Sequence, residues 1–152
     1  MRFLVQRVSE ASVKVDQEII GQIKNGLLVF VGVSNDDTTD IADRMIGKLL
    51  NLRIFEDTAG KTNCSLSDVG GEVLVVSQFT LYADCKKGNR PSFTNAGSAE
   101  FANSLYEYIL QQITAKGLSV QHGVFGELME VSLINHGPFT IWMDSKELFH
   151  EN

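Results

Sequence analysis

Two short segments contain the residues of this chain that could do chemistry. One reads Ser-Gln-Phe-Thr-Leu-Tyr over residues 77–82, and the other reads Asn-His-Gly-Pro-Phe-Thr over residues 135–140. Each joins an apolar, strand-like run to polar residues, and the second holds one of the two prolines of the chain. Proline lacks a backbone N–H and has a fixed φ, so it is unusual beside a strand. The two segments together indicate a site built largely from backbone groups.

The hydroxyl groups of the first segment leave two interpretations open. Ser77 and Thr80 are candidate nucleophiles, but no neighbouring His or Asp in the sequence identifies a base that would activate them. Such hydroxyls more often hydrogen-bond to the backbone of a strand. The sequence contains no GxSxG, P-loop or GxGxxG motif. The Gly-Val-Phe-Gly segment at 123–126 has too few glycines to hold a phosphate.

The Gly137-Pro138 pair of the second segment also has two interpretations. About 5–6% of X-Pro bonds in folded proteins are cis, so the cis form cannot be assumed from the sequence. If the bond is cis, the two carbonyls could point the same way, and Gly137 would let a ligand approach the backbone closely. An ordinary tight turn is the alternative, and the sequence alone favours that turn.

The charge of the chain argues against a general nucleic-acid-coating surface. The net charge is −6, although Lys86, Lys87 and Arg90 lie together beside the first segment. A solvated loop is the usual meaning of such a run, and a local contact with phosphates is the other. Cys64 and Cys85 form no CxxC pair, so free thiols are expected. The three histidines are isolated from one another, so their spacing predicts no zinc site.

The bulk composition is typical of a globular protein outside the membrane. A chain of 152 residues with 43% hydrophobic and 21% charged residues is most simply one domain, which we expect to cover residues 1–152. The longest apolar run, 26–33, is far shorter than the roughly 20 residues that span a bilayer. The first residues lack the apolar core of a signal peptide. A cytoplasmic location without membrane contact is therefore expected.

Apolar periodicity predicts the elements that must position the two segments. Helices are expected at 37–50 and 98–116, each with one apolar stripe. A turn is expected at Asp16-Gln17, and Asn25-Gly26 suits a type I′ hairpin. The first segment would follow a buried strand, and the second would lie at a junction between two strands, giving an α+β fold. The predicted strands are 3–15, 18–23, 26–33, 53–56, 73–76, 118–122, 129–135 and 139–143.

Over roughly residues 1–148 the chain resembles the D-aminoacyl-tRNA deacylases, also called D-tyrosyl-tRNA deacylases. Ser-Gln-x-x-Leu-Tyr at 77–82 and Asn-x-Gly-Pro-x-Thr at 135–140 match the two signatures of that family in order and separation. Further matching segments are 6–8, 26–33, 51–57, 87–93 and 123–126. The resemblance implies mixed, mainly antiparallel sheets layered with two amphipathic helices, a β/β/α sandwich.

The resemblance also implies an activity. Members of the family are homodimers that hydrolyse the ester between a D-amino acid and the 3′-terminal adenosine of tRNA. Their cis Gly-Pro bond enters the pocket of the partner subunit, where its backbone leaves no room for an L side chain. Glycine would escape such a filter, so glycyl-tRNA mischarged on the alanine tRNA is an expected secondary substrate. No cofactor or metal is implied.

Roles for individual residues follow from the same resemblance. The catalytic segment would be Ser77 to Thr80, with Ser77 and Gln78 holding the terminal adenosine. Backbone N–H groups near Phe79 and Thr80 would stabilise an oxyanion, with help from the ribose 2′-hydroxyl, while Thr80 as nucleophile stays the alternative. The residues expected to bind substrate are Gly137, Pro138, Arg7, Met129 and Phe125, and those expected to contact tRNA phosphates are Lys86, Lys87 and Arg90.

One position departs from the usual family pattern. The position after Asn135 is often acidic in the family and is His136 here, which indicates either an outward-facing loop residue or a pH-dependent change near the filter.

Two other functions compete with the D-aminoacyl-tRNA deacylase. A related deacylase with a relaxed filter, acting on glycine or small L-amino acids, is the second hypothesis. A non-catalytic RNA-binding module is the third, and the net charge of −6 counts against it.

Overall fold

The structure, a computed structural model, describes residues 1–149 and is built on sheets with helices on one side. The predicted strands and both predicted helices are present, with ends shifted by a few residues. The strands are β1 (Arg2–Val15), β2 (Glu18–Ile23), β3 (Gly26–Gly32), β4 (Phe55–Glu56), β5 (Thr62–Cys64), β6 (Glu72–Ser77), β7 (Val120–His122) and β8 (Glu130–Asp144). The helices are α1 (Thr39–Leu50), α2 (Ala99–Ala115) and α3 (Ser145–Leu148), and a 3₁₀ turn spans Phe79–Tyr82.

Strand β1 organises the main sheet because it uses both of its edges. One edge pairs antiparallel with β8 along residues 2–14. The other edge pairs with β3 along residues 2–8 and then with β2 along residues 11–15. Strands β6 and β7 extend the sheet by parallel pairing beyond β3, and β4 pairs with β5 separately. The predicted mixed, mainly antiparallel pairing is confirmed.

Two cores show how the layers are stacked. The larger core lies between the sheet and helices α1 and α2, and includes Phe3 and Val5 from the first half of β1. The smaller core contains Val8, Ala11 and Val13 from the second half of the same strand. Strand β1 therefore passes from one layer to the next, and β8 passes with it. This gives a helix layer and two β layers, so the predicted α+β sandwich is confirmed.

Helix starts follow the expected capping chemistry. The Thr38 hydroxyl accepts a hydrogen bond from the Ile41 amide at 3.2 Å, and the Ser98 hydroxyl accepts one from the Phe101 amide at 3.4 Å. The predicted strands 129–135 and 139–143 are joined in the single strand β8. The short elements α3 and β5 are additional, because three or four residues carry no periodic signal.

The predicted type I′ hairpin at Asn25-Gly26 was wrong. Strands β2 and β3 are not paired with each other, since both pair with β1. The tight hairpin instead joins β1 to β2, where Asp16 and Gln17 both have positive φ, as a type I′ turn requires. Gly26 has a different use, because a Cβ there would overlap the carbonyl oxygen of Glu72 on the parallel neighbour β6.

No helix within residues 1–149 is both long enough and apolar enough to cross a bilayer. The expected domain spans 1–152, and its last three residues lie outside the described part of the chain.

Two glycine substitutions test the close contact between β3 and β6. Gly26→Ala should lower the free energy of unfolding by about 1–3 kcal/mol, because the added methyl group meets backbone that cannot move aside. Gly47→Ala is the matched control, since Gly47 lies inside α1 with no atom within 4 Å of its added Cβ. This control should gain up to about 1 kcal/mol from helix propensity. Urea unfolding measures both, and equal effects would contradict the account.

Candidate active site

The Gly-Pro segment is a bulge that leaves the ladder between β1 and β8. Gln6 pairs with Thr140, and Val8 pairs with Asn135. Between these pairs β1 has only Arg7, whereas β8 has residues 136–139. The extra residues cannot stay in register and project from the sheet edge. The Gly137-Pro138 bond at the tip is cis, and both residues are exposed.

Arg7 fills the gap beneath this bulge. Its side chain is buried, at 3% exposure, and its guanidinium donates three hydrogen bonds to backbone carbonyls. Nε reaches the His136 oxygen at 3.1 Å, Nη2 the Gly137 oxygen at 3.1 Å and Nη1 the Ile54 oxygen at 2.8 Å. Its guanidinium carbon also lies 4.6 Å from the centre of the Phe139 ring. The planar group thus fixes both sides of the bulge at once.

Asn135 closes the neck of the bulge. Its side-chain Nδ2 donates to the Arg7 carbonyl oxygen at 3.0 Å and to the Phe139 carbonyl oxygen at 3.1 Å. The first bond joins β8 to β1, and the second connects the residue before the bulge with the last residue of the bulge. Asn135 was not among the predicted site residues, although its place two positions before Gly137 in the signature was a signal.

The other signature lines a cavity of about 660 Å³ on the same molecule. The wall includes the end of β6, the start of α2 and the segment before β8. Five of the predicted site residues line it, namely Ser77, Gln78, Phe79, Phe125 and Met129. The cavity wall is mainly apolar, which suits the body of a nucleoside or an amino acid side chain.

Two lining residues with polar side chains, Tyr106 and Glu127, were missed by the sequence analysis. Tyr106 of α2 donates its hydroxyl to the Val75 carbonyl oxygen at 2.7 Å, and burial raises the pKa of this phenol. The Tyr106 hydroxyl is therefore neutral, and its proton is already engaged in a hydrogen bond within the protein. Glu127 brings an exposed carboxylate to the wall. Tyr106 lies next to Leu105 on the apolar stripe of α2, whereas no periodic pattern marks Glu127.

The Ser77–Tyr82 segment turns sharply as β6 ends. The Gln78 amide donates to the Val31 carbonyl oxygen at 2.7 Å, which extends the β3–β6 pairing by one residue. The 3₁₀ turn then begins at Phe79, so the amides of Phe79 and Thr80 are its first and have no carbonyl partner within the turn. Thr80 does not line the cavity, and its hydroxyl accepts a hydrogen bond from the Gln78 side-chain amide. An amide cannot take up a proton as a general base would.

Arg2 holds the far end of this turn. Its Nη1 donates to the Leu81 carbonyl oxygen at 2.8 Å, and its guanidinium carbon lies 4.4 Å from the centre of the Tyr82 ring. Its Nε also donates to Asp144 at 2.9 Å. Burial by itself would raise the pKa of Asp144, but hydrogen bonds from Arg2 and the Lys146 amide outweigh it and lower that pKa. The carboxylate is thus charged at neutral pH and keeps Arg2 in place.

The predicted tRNA-contacting residues lie outside the cavity on an exposed loop. Asp84 and Ser92 close this loop through paired backbone hydrogen bonds of 2.7 and 2.9 Å. Lys86, Lys87 and Arg90 are all exposed between them. The loop thus carries a compact group of cations immediately after the 3₁₀ turn.

Within the described residues of one chain, the two signatures do not meet in one pocket. The residues that line the cavity include none from 135–140. A Cβ added to Gly137 would meet no atom within 4 Å beyond its chain neighbours, so the tip has open space on that side. Cavity and tip are separate features of this chain.

Comparison with known proteins places this chain in an enzyme family. The family model described as D-Tyr-tRNA(Tyr) deacylase matches residues 4–144. The chain is 55% identical to a D-aminoacyl-tRNA deacylase of Clostridioides difficile, over 98% of this chain and all of that protein. It is 54% identical to one of Bacillus pumilus, over 97% of this chain and all of that protein. The chain belongs to the D-Tyr-tRNA(Tyr) deacylase family, and the predicted resemblance is confirmed.

Two solved structures share the fold. One, called "c-Myc DNA Unwinding Element Binding Protein", superimposes with a TM-score of 0.89 at 41% identity, covering 95% of this chain and 98% of that one. The other, called "Structural Analysis of a probable eukaryotic D-amino acid tRNA deacylase", gives 0.81 at 18% identity, covering 93% and 97%. The second shows likeness of fold alone.

Replacing Arg7 tests whether it holds the bulge. Arg7→Lys should lower the free energy of unfolding by about 2–4 kcal/mol, because one ammonium cannot serve the three separated carbonyls that the buried guanidinium serves. Amide hydrogen exchange at His136, Gly137 and Phe139 should accelerate together. Arg53→Lys on the exposed surface is the control and should change stability by less than about 0.5 kcal/mol. Unchanged exchange at the bulge would show that Asn135 and the strands hold it without Arg7.

Proposed function

We propose that this protein is a D-aminoacyl-tRNA deacylase, which hydrolyses the ester of D-aminoacyl-tRNA to free tRNA and a D-amino acid. The observation that carries the proposal is the backbone tip at Gly137-Pro138, held out from the sheet by Arg7 and Asn135. A cavity lined by the other signature accompanies it, in a chain 55% identical to a protein of that name. A protein that acts on tRNA would work in the cytoplasm.

Selectivity would come from shape at the α-carbon. The tip presents main chain and no side chain at Gly137, so it can approach a bound aminoacyl group closely. An L side chain would collide with that main chain, whereas a D side chain points elsewhere and glycine has none. Glycyl-tRNA mischarged on the alanine tRNA is accordingly a second substrate.

The tip would act on the cavity of a second copy of the chain. In one chain no residue of the tip lines the cavity, and the exposed tip has open space around the α-carbon of Gly137. A homodimer with exchanged tips would complete two equivalent sites, as the two-fold symmetry of most dimers requires.

The chemistry needs no covalent intermediate on the protein. A water oxygen attacks the ester carbonyl carbon, the carbon–oxygen bond to the ribose breaks, and the ribose oxygen leaves with a proton. The negative charge on the carbonyl oxygen would be stabilised by the amides of Phe79 and Thr80 at the start of the 3₁₀ turn. The neighbouring ribose hydroxyl would help orient the water, while Ser77 and Gln78 hold the adenosine. Arg7 would support the tip, and Met129 and Phe125 would line the substrate pocket.

The first test compares three tRNAs that differ only in the aminoacyl group. D-tyrosyl-tRNA and glycyl-tRNA should lose their amino acid rapidly, and L-tyrosyl-tRNA should be spared. The remaining charged tRNA is followed by acid gel electrophoresis. Equal loss of the D and L forms would show that the protein hydrolyses aminoacyl-tRNA without a chiral filter. That result would support the hypothesis of a relaxed deacylase.

Thr80→Ala separates backbone stabilisation from nucleophilic attack. The variant should keep the single-turnover rate constant for D-tyrosyl-tRNA hydrolysis within about tenfold of the wild type, because a backbone amide survives the substitution. Single-turnover kinetics measure this, with circular dichroism to check the fold. A nucleophile would lose several orders of magnitude, and that result would restore Thr80 to the covalent role.

A mixing experiment tests the exchange of tips between subunits. Gly137→Trp blocks the tip, which has open space in its own chain, and Met129→Trp fills the cavity. Each variant alone should be inactive. Co-expressed together they should recover about a quarter of wild-type activity, since half the dimers are mixed and each has one intact site. A mixture of two different tip variants is the control and should stay inactive. If the mixture of tip and cavity variants also stays inactive, tip and cavity act within one chain.

Nucleic-acid binding without turnover is the second candidate. It is favoured by the exposed cations of the 84–92 loop and by a 41% identical solved structure that carries the name of a DNA-binding protein. The net charge of −6 limits such binding to a local contact. The tRNA assay decides between the two, because tight binding with no loss of any aminoacyl group would support this candidate.

A further inference from the structure

Two aromatic rings stand at the opening of the cavity. Phe79 and Phe93 both line it, yet they are 56% and 37% exposed. Their ring centres are 5.1 Å apart with an angle of 71° between the planes, which is an edge-to-face contact. Large aromatic rings exposed at the edge of a cavity are suited to binding something that extends out of it.

The position of Phe93 in the chain links it to the cationic loop. Phe79 begins the 3₁₀ turn, the closed loop 84–92 follows, and Phe93 comes directly after Ser92. The Phe93 ring then packs back on Phe79. The loop with Lys86, Lys87 and Arg90 is therefore anchored at the cavity opening, beside an aromatic surface.

Aromatic surface beside cations is the chemistry that binds single-stranded nucleic acid. Bases stack on aromatic rings, while lysine and arginine track the phosphates. Stacking tolerates any base, because every base has a flat face. A nucleoside held inside the cavity would direct its 5′ phosphate and the preceding nucleotide toward the opening.

We infer that Phe93, supported by Phe79, is the stacking surface for the nucleotide that precedes the terminal adenosine of the RNA. The inference rests on the proposed function for the identity of the RNA and adds a subsite to it. Phe93 is thereby a positioning residue that orients the 3′ end, and the cations of the loop meet the phosphates on its 5′ side.

The test uses small substrates that differ by one base. They are the D-tyrosyl esters of cytidylyl-adenosine and of the same dinucleotide without its 5′ base. In the wild type the base should raise kcat/KM by roughly 5- to 30-fold. Phe93→Ala should bring that ratio close to one, and Phe93→Trp should restore it. Any effect of the substitution on the rest of the site cancels in the ratio.

Ile19→Ala is the control for loss of an exposed apolar side chain, because Ile19 is 52% exposed on β2, away from the cavity lining. It should keep the wild-type ratio. A wild-type ratio of one, or a ratio that survives in Phe93→Ala, would overturn the inference. So would dissociation of a dimer by Phe93→Ala in sedimentation, since the ring would then be a contact between copies.

A binding arm separates this inference from the proposed function. Uncharged cytidylyl-adenosine and its analogue without the 5′ base are titrated into the wild type, Phe93→Ala and Phe93→Trp by calorimetry. If no ester is hydrolysed but the 5′ base strengthens binding only when residue 93 is aromatic, the proposed function fails and the stacking surface stands. If esters are hydrolysed and binding ignores the base, the stacking surface fails alone.

Discussion

The buried guanidinium of Arg7 is the interaction on which the candidate site depends. A charge taken out of water is tolerated only when it is fully hydrogen-bonded, and here the partners are the carbonyls of Ile54, His136 and Gly137. These carbonyls come from two segments that are distant in sequence. Without the guanidinium, the His136 and Gly137 carbonyls would lose the hydrogen bonds that tie the bulge to β1. The arginine is what makes the bulge a fixed structure.

The long pair of β1 and β8 explains why the bulge lies where it does. The first half of β1 packs toward the helices, and its second half packs in the smaller core on the other side. The register of the two strands shifts on both sides of Val8, next to Arg7. Bulges bend strands and increase their twist. The same irregularity therefore carries the strands between layers and projects the Gly-Pro tip, so fold and candidate site share one cause.

The other signature is rigid for a different reason. It follows β6, which is held by parallel pairing to β3, and Arg2 then fixes the far end of the turn through the Leu81 carbonyl and the Tyr82 ring. Backbone amides can stabilise developing charge only if they are already in place, because reorganising them would cost the energy that they supply. The ion pair between Arg2 and Asp144 is thus part of the support for these amides.

The sequence allowed prediction wherever a signal was local or periodic. The stripes of α1 and α2, the buried runs of β3 and β6 and the turn at Asp16-Gln17 were all visible in it. The hairpin at Asn25-Gly26 failed because its local signal was overridden by pairing of β2 and β3 with the same strand, which no short window shows. The hydrogen bonds of Arg7 to His136 and Gly137 likewise cross about 130 residues of sequence, so no local pattern indicated them. The apolar stripe of α2 predicts that Tyr106 is buried but not which cavity it lines, and no periodic pattern marks Glu127.

The central claim is that Arg7 fixes the backbone tip proposed to distinguish D from L. The measurement that tests it most directly is the ratio of kcat/KM for D-tyrosyl-tRNA to that for L-tyrosyl-tRNA, in the wild type and in folded Arg7→Lys. The account predicts that this ratio falls by roughly tenfold or more in the variant, with loss of discrimination at the transition state. A ratio that stays at the wild-type value, although amide exchange shows the bulge released, would contradict the claim.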